Sequence, residues 1–118
     1  MGDHHHHWSG RFHRARRHYE AAARLDPQLA LAHYNRGMVY LLLGLPDRLA
    51  AAMRRAADTA GADEHELHAR AIFNLSALQT HSGNTREAME LCKQALEIWP
   101  EYPEANEAMQ RYDTTWLT

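Results

Sequence analysis

The chain reads as an all-α protein, an α-α superhelix of antiparallel helix pairs, on three observations. The first is a period: Gly10 to Gly44, Tyr19 to Met53 and Ala22 to Ala56 are each 34 residues apart. Gly44 to Gly83, Met53 to Cys92 and Ala56 to Ala95 are each 39 apart, the same period with a five-residue insertion. The second is composition, since Ala, Leu, Arg and Glu abound, while Val39, Ile72 and Ile98 are the only β-branched aliphatic residues in 118. The third is punctuation: Gly and Pro fall at the ends of the apolar periodic stretches. A period of this length marks a stacked array whose units bury their faces on one another, an architecture that holds partners more often than it performs chemistry.

Each element follows from its local residues. A helix is expected over about residues 12 to 25, stopped at Asp26-Pro27 because proline cannot continue the hydrogen-bond ladder. The next spans about 29 to 43 and stops at Gly44. Its partner starts near Pro46, a residue suited to a first helical turn, and ends near Ala60-Gly61. Asp63 is expected to cap the following helix, with Glu66 as the reciprocal capping acid, and that helix runs to about Ser82. The five inserted residues thus lengthen a helix or its approach. Asn84 or Thr85 caps a helix that ends at Trp99-Pro100, and a last helix over about 102 to 113 closes the array.

Composition narrows the classes. One cysteine precludes an intrachain disulfide, and no apolar run approaches the ~20 residues of a membrane span. The start lacks the form of a signal peptide, so a cytoplasmic protein without membrane association is expected. The net charge of −2 is polarised: residues 1 to 60 hold nine Arg against five acids, residues 61 to 118 four Lys or Arg against ten. Either the two ends have differently solvated faces, or copies stack head to tail.

The residues resemble the tetratricopeptide repeat family. Second halves of the 34-residue unit match at Ala15, Tyr19, Ala22 and Pro27, at Leu49, Met53, Ala56 and Gly61, and at Ala88, Cys92, Ala95 and Pro100. First halves are looser, with His33, Arg36, Gly37 and Tyr40 in one copy and Ile72, Leu75, Ser76 and Gln79 in the next. Gly10, Gly44 and Gly83 sit where the family turns within a repeat. The resemblance implies a right-handed solenoid over residues 10 to 113: a partial repeat 10–29, full repeats 30–63 and 69–102, and a closing helix 103–113, between a histidine-rich segment 1–9 and a tail 114–118. Small residues at Gly37, Ala56, Ser76 and Ala95 let backbones approach, and Tyr19, Met53, Leu75 and Cys92 fill the space between pairs. By period the first repeat would begin about five residues before Met1. The front therefore reads as incomplete, either a fragment of a longer array, a tag in place of native sequence, or an open face for a partner.

In the family the first helix of each repeat lines a concave groove. The matching positions are Leu31, Tyr34, Met38, Leu41 and Leu42, then Arg70, Phe73, Ala77, Thr80 and His81, a mostly apolar and aromatic surface suited to a peptide or helix. Leu41, Leu42 and Phe73 would alternatively pack against adjacent helices. Asn35 and Asn74, equivalent and 39 apart, would bond a peptide backbone and, with Arg70, resemble part of the family's carboxylate clamp. The clamp's lysines are missing, and both asparagines would otherwise bond neighbouring backbone.

No chemistry is expected beside this. His4 to His7 bind divalent metal as any oligohistidine does, and His65 and His68 are one residue short of the H-E-x-x-H zinc spacing. No partnered nucleophile and base, phosphate loop or catalytic carboxylate pair is present at motif level, so neither an enzyme nor a cofactor is expected. Arg11, Arg14, Arg16 and Arg17 form a basic cluster, read as a solvated face and not as a nucleic-acid site. The expected role is a protein-protein scaffold binding a protein or peptide in the groove. The alternative is homo-oligomeric assembly through the uncovered N-terminal helix face.

Overall fold

The backbone turns twice through the same device. Gly44 adopts φ 69°, ψ 41°, its N–H donating to the Leu41 and Tyr40 carbonyls, and Leu45 N–H reaches back to Tyr40 O at 3.0 Å. Gly83 adopts φ 85°, its N–H donating to Thr80 O, and Asn84 N–H reaches Gln79 O at 2.8 Å. A left-handed residue closed by this backward bond ends a helix and reverses the chain, which glycine does without steric strain.

The computed structural model describes residues 29 to 115, with side chains as far as Tyr112. Those residues form five helices: α1 (Ala30–Leu43), α2 (Pro46–Thr59), α3 (His65–His81), α4 (Thr85–Ile98) and α5 (Pro103–Thr115). There is no strand among them, and no helix among them is long and apolar enough to cross a membrane. The expected helix over 12 to 25, the histidine segment and the arginine cluster lie outside the described residues. The chain divides into two units, Met1–Thr59 and Ala60–Thr118.

In the first unit α1 and α2 form an antiparallel pair. Leu49, Ala52, Met53 and Ala56 of α2 are buried, at two per cent exposure or less. Full burial of Met53 contributes about 1.5–3 kcal/mol. Gly37 allows this packing: a Cβ there would lie 2.7 Å from Met53 Cε and 3.2 Å from the Ala52 Cβ.

In the second unit α3 pairs with α4, and α5 packs against α4. Ser76 stands 39 residues after Gly37, at the equivalent place. Its fully buried hydroxyl donates to Ala88 O of α4 at 2.6 Å, so here the helices are tied where the first pair merely touches. Ala88, Cys92 and Ala95 are wholly buried on α4, and the Cys92 thiol donates to Ala105 O of α5 at 3.3 Å. Leu75, expected to fill the core, is only half-buried, because Ile72 and Ser76 take the inward positions of α3. α3 is three residues longer than α1, 17 against 14, so part of the insertion is helix as expected.

The expected Asp63 cap is not made. α3 begins at His65 without a side-chain cap, and the reciprocal pair stands two residues earlier. Gly61 N–H donates to Glu64 Oε1 at 3.1 Å while Glu64 N–H donates to Gly61 O at 2.9 Å. Glu64 thus closes a turn with Gly61, and the chain becomes helical at the next residue, His65. Asn84 likewise precedes α4 without a side-chain cap, and its amide nitrogen donates to Gln79 Oε1 at 2.8 Å.

Candidate functional site

α3 and α5 enclose a cleft of about 410 Å³ in the second unit, lined by Phe73, Ser76, Ala77, Thr80, Thr85, Ala108, Arg111 and Tyr112. Helical spacing explains the α3 wall, because residues 73, 76, 77 and 80 follow each other at three- and four-residue steps on one face. The α5 wall repeats the pattern with Ala108, Arg111 and Tyr112.

The walls are held from behind and at the rim. Phe73 packs on Tyr102 with ring centroids 5.1 Å apart at 60°, and Tyr102 stacks on Trp99 at 4.5 Å and 22°. The Arg70 guanidinium lies 5.3 Å from the Trp99 ring centroid, a cation–π contact that extends the stack. Tyr102 is buried where α5 begins, and Asn106 Nδ2 donates to the Pro100 and Tyr102 carbonyls, each at 3.0 Å, fixing the turn into the helix. At the rim, Thr80 Oγ1 and Tyr112 Oη lie 2.7 Å apart and join α3 to α5. Thr80 Oγ1 is also 3.2 Å from Ser76 O.

Of the groove positions read from the sequence, Phe73 and Ala77 line this cleft, as does Thr80. Arg70 instead covers Trp99, and Asn74 Nδ2 donates to the Arg70 carbonyl at 2.9 Å, so the asparagine bonds its own helix. His81 is exposed at the end of α3. His65 is exposed and His68 half-buried on the first turn of α3. On α1, Leu31, Leu41 and Leu42 are 50, 47 and 62% exposed, while Tyr34, Asn35 and Met38 are half-buried.

Sequence reasoning missed Thr85, Ala108, Arg111 and Tyr112. The signal was present: Asn74 to Ala108 and Ala77 to Arg111 are 34 residues apart, so α5 repeats the register of a first helix and brings its own groove positions. Reading it only as a closing helix hid them.

Comparison with known proteins agrees with the geometry. A TPR repeat profile matches residues 7–44 and a tetratricopeptide repeat profile matches residues 69–102. The fold is similar to that of the Yersinia enterocolitica type III secretion chaperone SycD, crystallised in complex with a peptide of the translocator YopD. That likeness has a TM-score of 0.71 at 19% identity and covers 92% of this chain and 79% of that one. MamA is a weaker structural match, with a TM-score of 0.43 at 16% identity over 90% of this chain and 79% of that one. No curated protein matches the chain significantly by sequence. With helix pairs reversing at Gly44 and Gly83, small residues at the close approaches and two matching repeat profiles, the chain belongs to the tetratricopeptide repeat family.

Proposed function

We propose that the chain is a non-catalytic protein-interaction scaffold whose α3–α5 cleft grips a short extended segment of a partner protein. The observation that carries this is the cleft itself, about 410 Å³ with Phe73, Ala77 and Ala108 as apolar wall and hydroxyl and guanidinium groups around them. A concave, mainly apolar site with a few convergent polar groups is what a peptide side chain or two requires. The SycD structure, similar in fold, holds a peptide of YopD, which accords with the reading. In the first unit, taken by itself, Tyr34, Asn35 and Met38 are half-buried on α1 and form a separate candidate contact surface.

The test is a selection of peptides from a random display library on the full chain. Ala77→Arg fills the cleft from an exposed position and leaves the core alone. It should weaken the selected peptides by about tenfold or more with helicity unchanged. Undiminished binding to that variant refutes the groove.

A second reading is self-association. The exposed leucines of α1, Leu31 on its first turn and Leu41 and Leu42 on its last, favour it, since exposed large apolar side chains are suited to contact with another chain.

A further inference from the structure

Most polar groups lining the cleft already have partners, and its room comes from two alanines. The Ser76 hydroxyl donates to Ala88 O at 2.6 Å, and Thr80 Oγ1 lies 3.2 Å from Ser76 O and 2.7 Å from Tyr112 Oη. Arg111, the one charged residue among the described residues that line the cleft, is engaged in an interaction of its own. A charged side chain entering here would lose hydration with no unpaired opposite charge to receive it, whereas an apolar one leaves each of these bonds in place. The internal repeat shows where the room arises. Ala77 stands 39 residues after Met38, at the equivalent place of α3, and Ala108 stands 34 after Asn74, at the equivalent place of α5. A methyl thus replaces a long thioether side chain at one position and an amide at the other. Ala77 is exposed, and Phe73, one turn before it on the same face of α3, is half-buried.

Resting on the groove reading above, we propose that the partner segment is read through one large uncharged apolar side chain, of the size of Leu, Met or Phe, seated against Phe73, Ala77 and Ala108. It supplies to the second unit the bulk that Met38 supplies at the same register of α1. Ala77 and Ala108 are then the residues that set specificity, by leaving volume, and the neutral, already bonded lining excludes Asp, Glu, Lys and Arg at that position.

The probes are hexapeptides of alanine and serine, blocked at both ends, with Ala, Leu, Phe, Glu or Lys at one central position, titrated into the full chain by NMR. Blocking removes the terminal charges, so a preference measures the central side chain alone. The Leu and Phe peptides should bind roughly tenfold more tightly than the Ala peptide, and that advantage should persist as salt is raised. The Glu and Lys peptides should bind no more tightly than the Ala peptide. Ala77→Met fills the cleft from an exposed position with a good helix former, and should bring the Leu and Phe peptides down to the level of the Ala peptide with helicity unchanged. Equal binding of the Leu, Phe and Ala peptides, tighter binding of the Glu or Lys peptide, or an advantage that survives Ala77→Met overturns this inference and leaves the groove standing. Failure of all five peptides to shift resonances of α3 and α5 overturns the groove reading and this inference with it.

Discussion

Cys92 is the residue whose environment most constrains its chemistry. It is wholly buried between α4 and α5, its thiol donating to Ala105 O, and burial pushes its titration above the ordinary 9.0 by disfavouring the thiolate. It should therefore resist thiol reagents in the native state and react only on unfolding. A raised native value also fixes a sign: the stability it contributes is complete below about pH 9.0 and declines as pH rises beyond that, toward the native value. Denaturant midpoints between pH 8 and 11 should thus fall more steeply for the wild type than for Cys92→Ala. Ser76 permits a second residue-scale test. Ser76→Ala removes the bond to Ala88 O and should cost about 1 kcal/mol, since that carbonyl keeps its place in the α4 ladder. Gly37→Val should cost about 1–3 kcal/mol, because Met53 and Ala52 leave no room for the added methyls. Both are read from chemical denaturation. The small size of these residues was legible from the repeat, but the difference between them was not, because a bare contact at Gly37 and a hydrogen bond at Ser76 depend on what faces each position.

At the scale of the element, the two helix reversals carry a matched prediction. Gly44 and Gly83 both have positive φ, and a Cβ at either would meet nothing within 4 Å. The cost of Gly44→Ala or Gly83→Ala is therefore conformational alone, about 1 kcal/mol each and similar at both sites. Gly44→Asn and Gly83→Asn should cost less, because asparagine tolerates the left-handed region. Thermal unfolding of the four variants checks this, and a large difference between the two sites would refute a purely backbone origin. Helix identities and C-terminal ends were readable in advance because Gly and Pro act locally. The start of α3 was not, because the carboxylate that accepts from a backbone N–H there is that of Glu64, on Gly61, and not that of Asp63 at a helix cap.

For the whole molecule, the groove reading and the self-association reading differ in mass. Under the groove reading, light scattering of the full chain should report a monomer across the concentration range. A concentration-dependent dimer that Leu42→Glu disperses would instead favour the exposed leucines of α1. In the second unit, Thr80→Val together with Tyr112→Phe should loosen α5 from α3, faster hydrogen exchange in α5 being the measure.

By itself the sequence determined the helix pairs, their reversals at Gly44 and Gly83, and the small residues Ala56, Ser76 and Ala95 at the close approaches. These depend on periodicity and on backbone preferences that act within a turn or two of chain. Tertiary structure decided which groove residues meet in a cleft. Phe73 and Ala77 gained Ala108, Arg111 and Tyr112 as neighbours, while Arg70 was drawn over Trp99 and Asn74 to its own helix. A cleft needs two elements distant in sequence, here joined by a hydrogen bond between residues 80 and 112, and only packing brings such residues together.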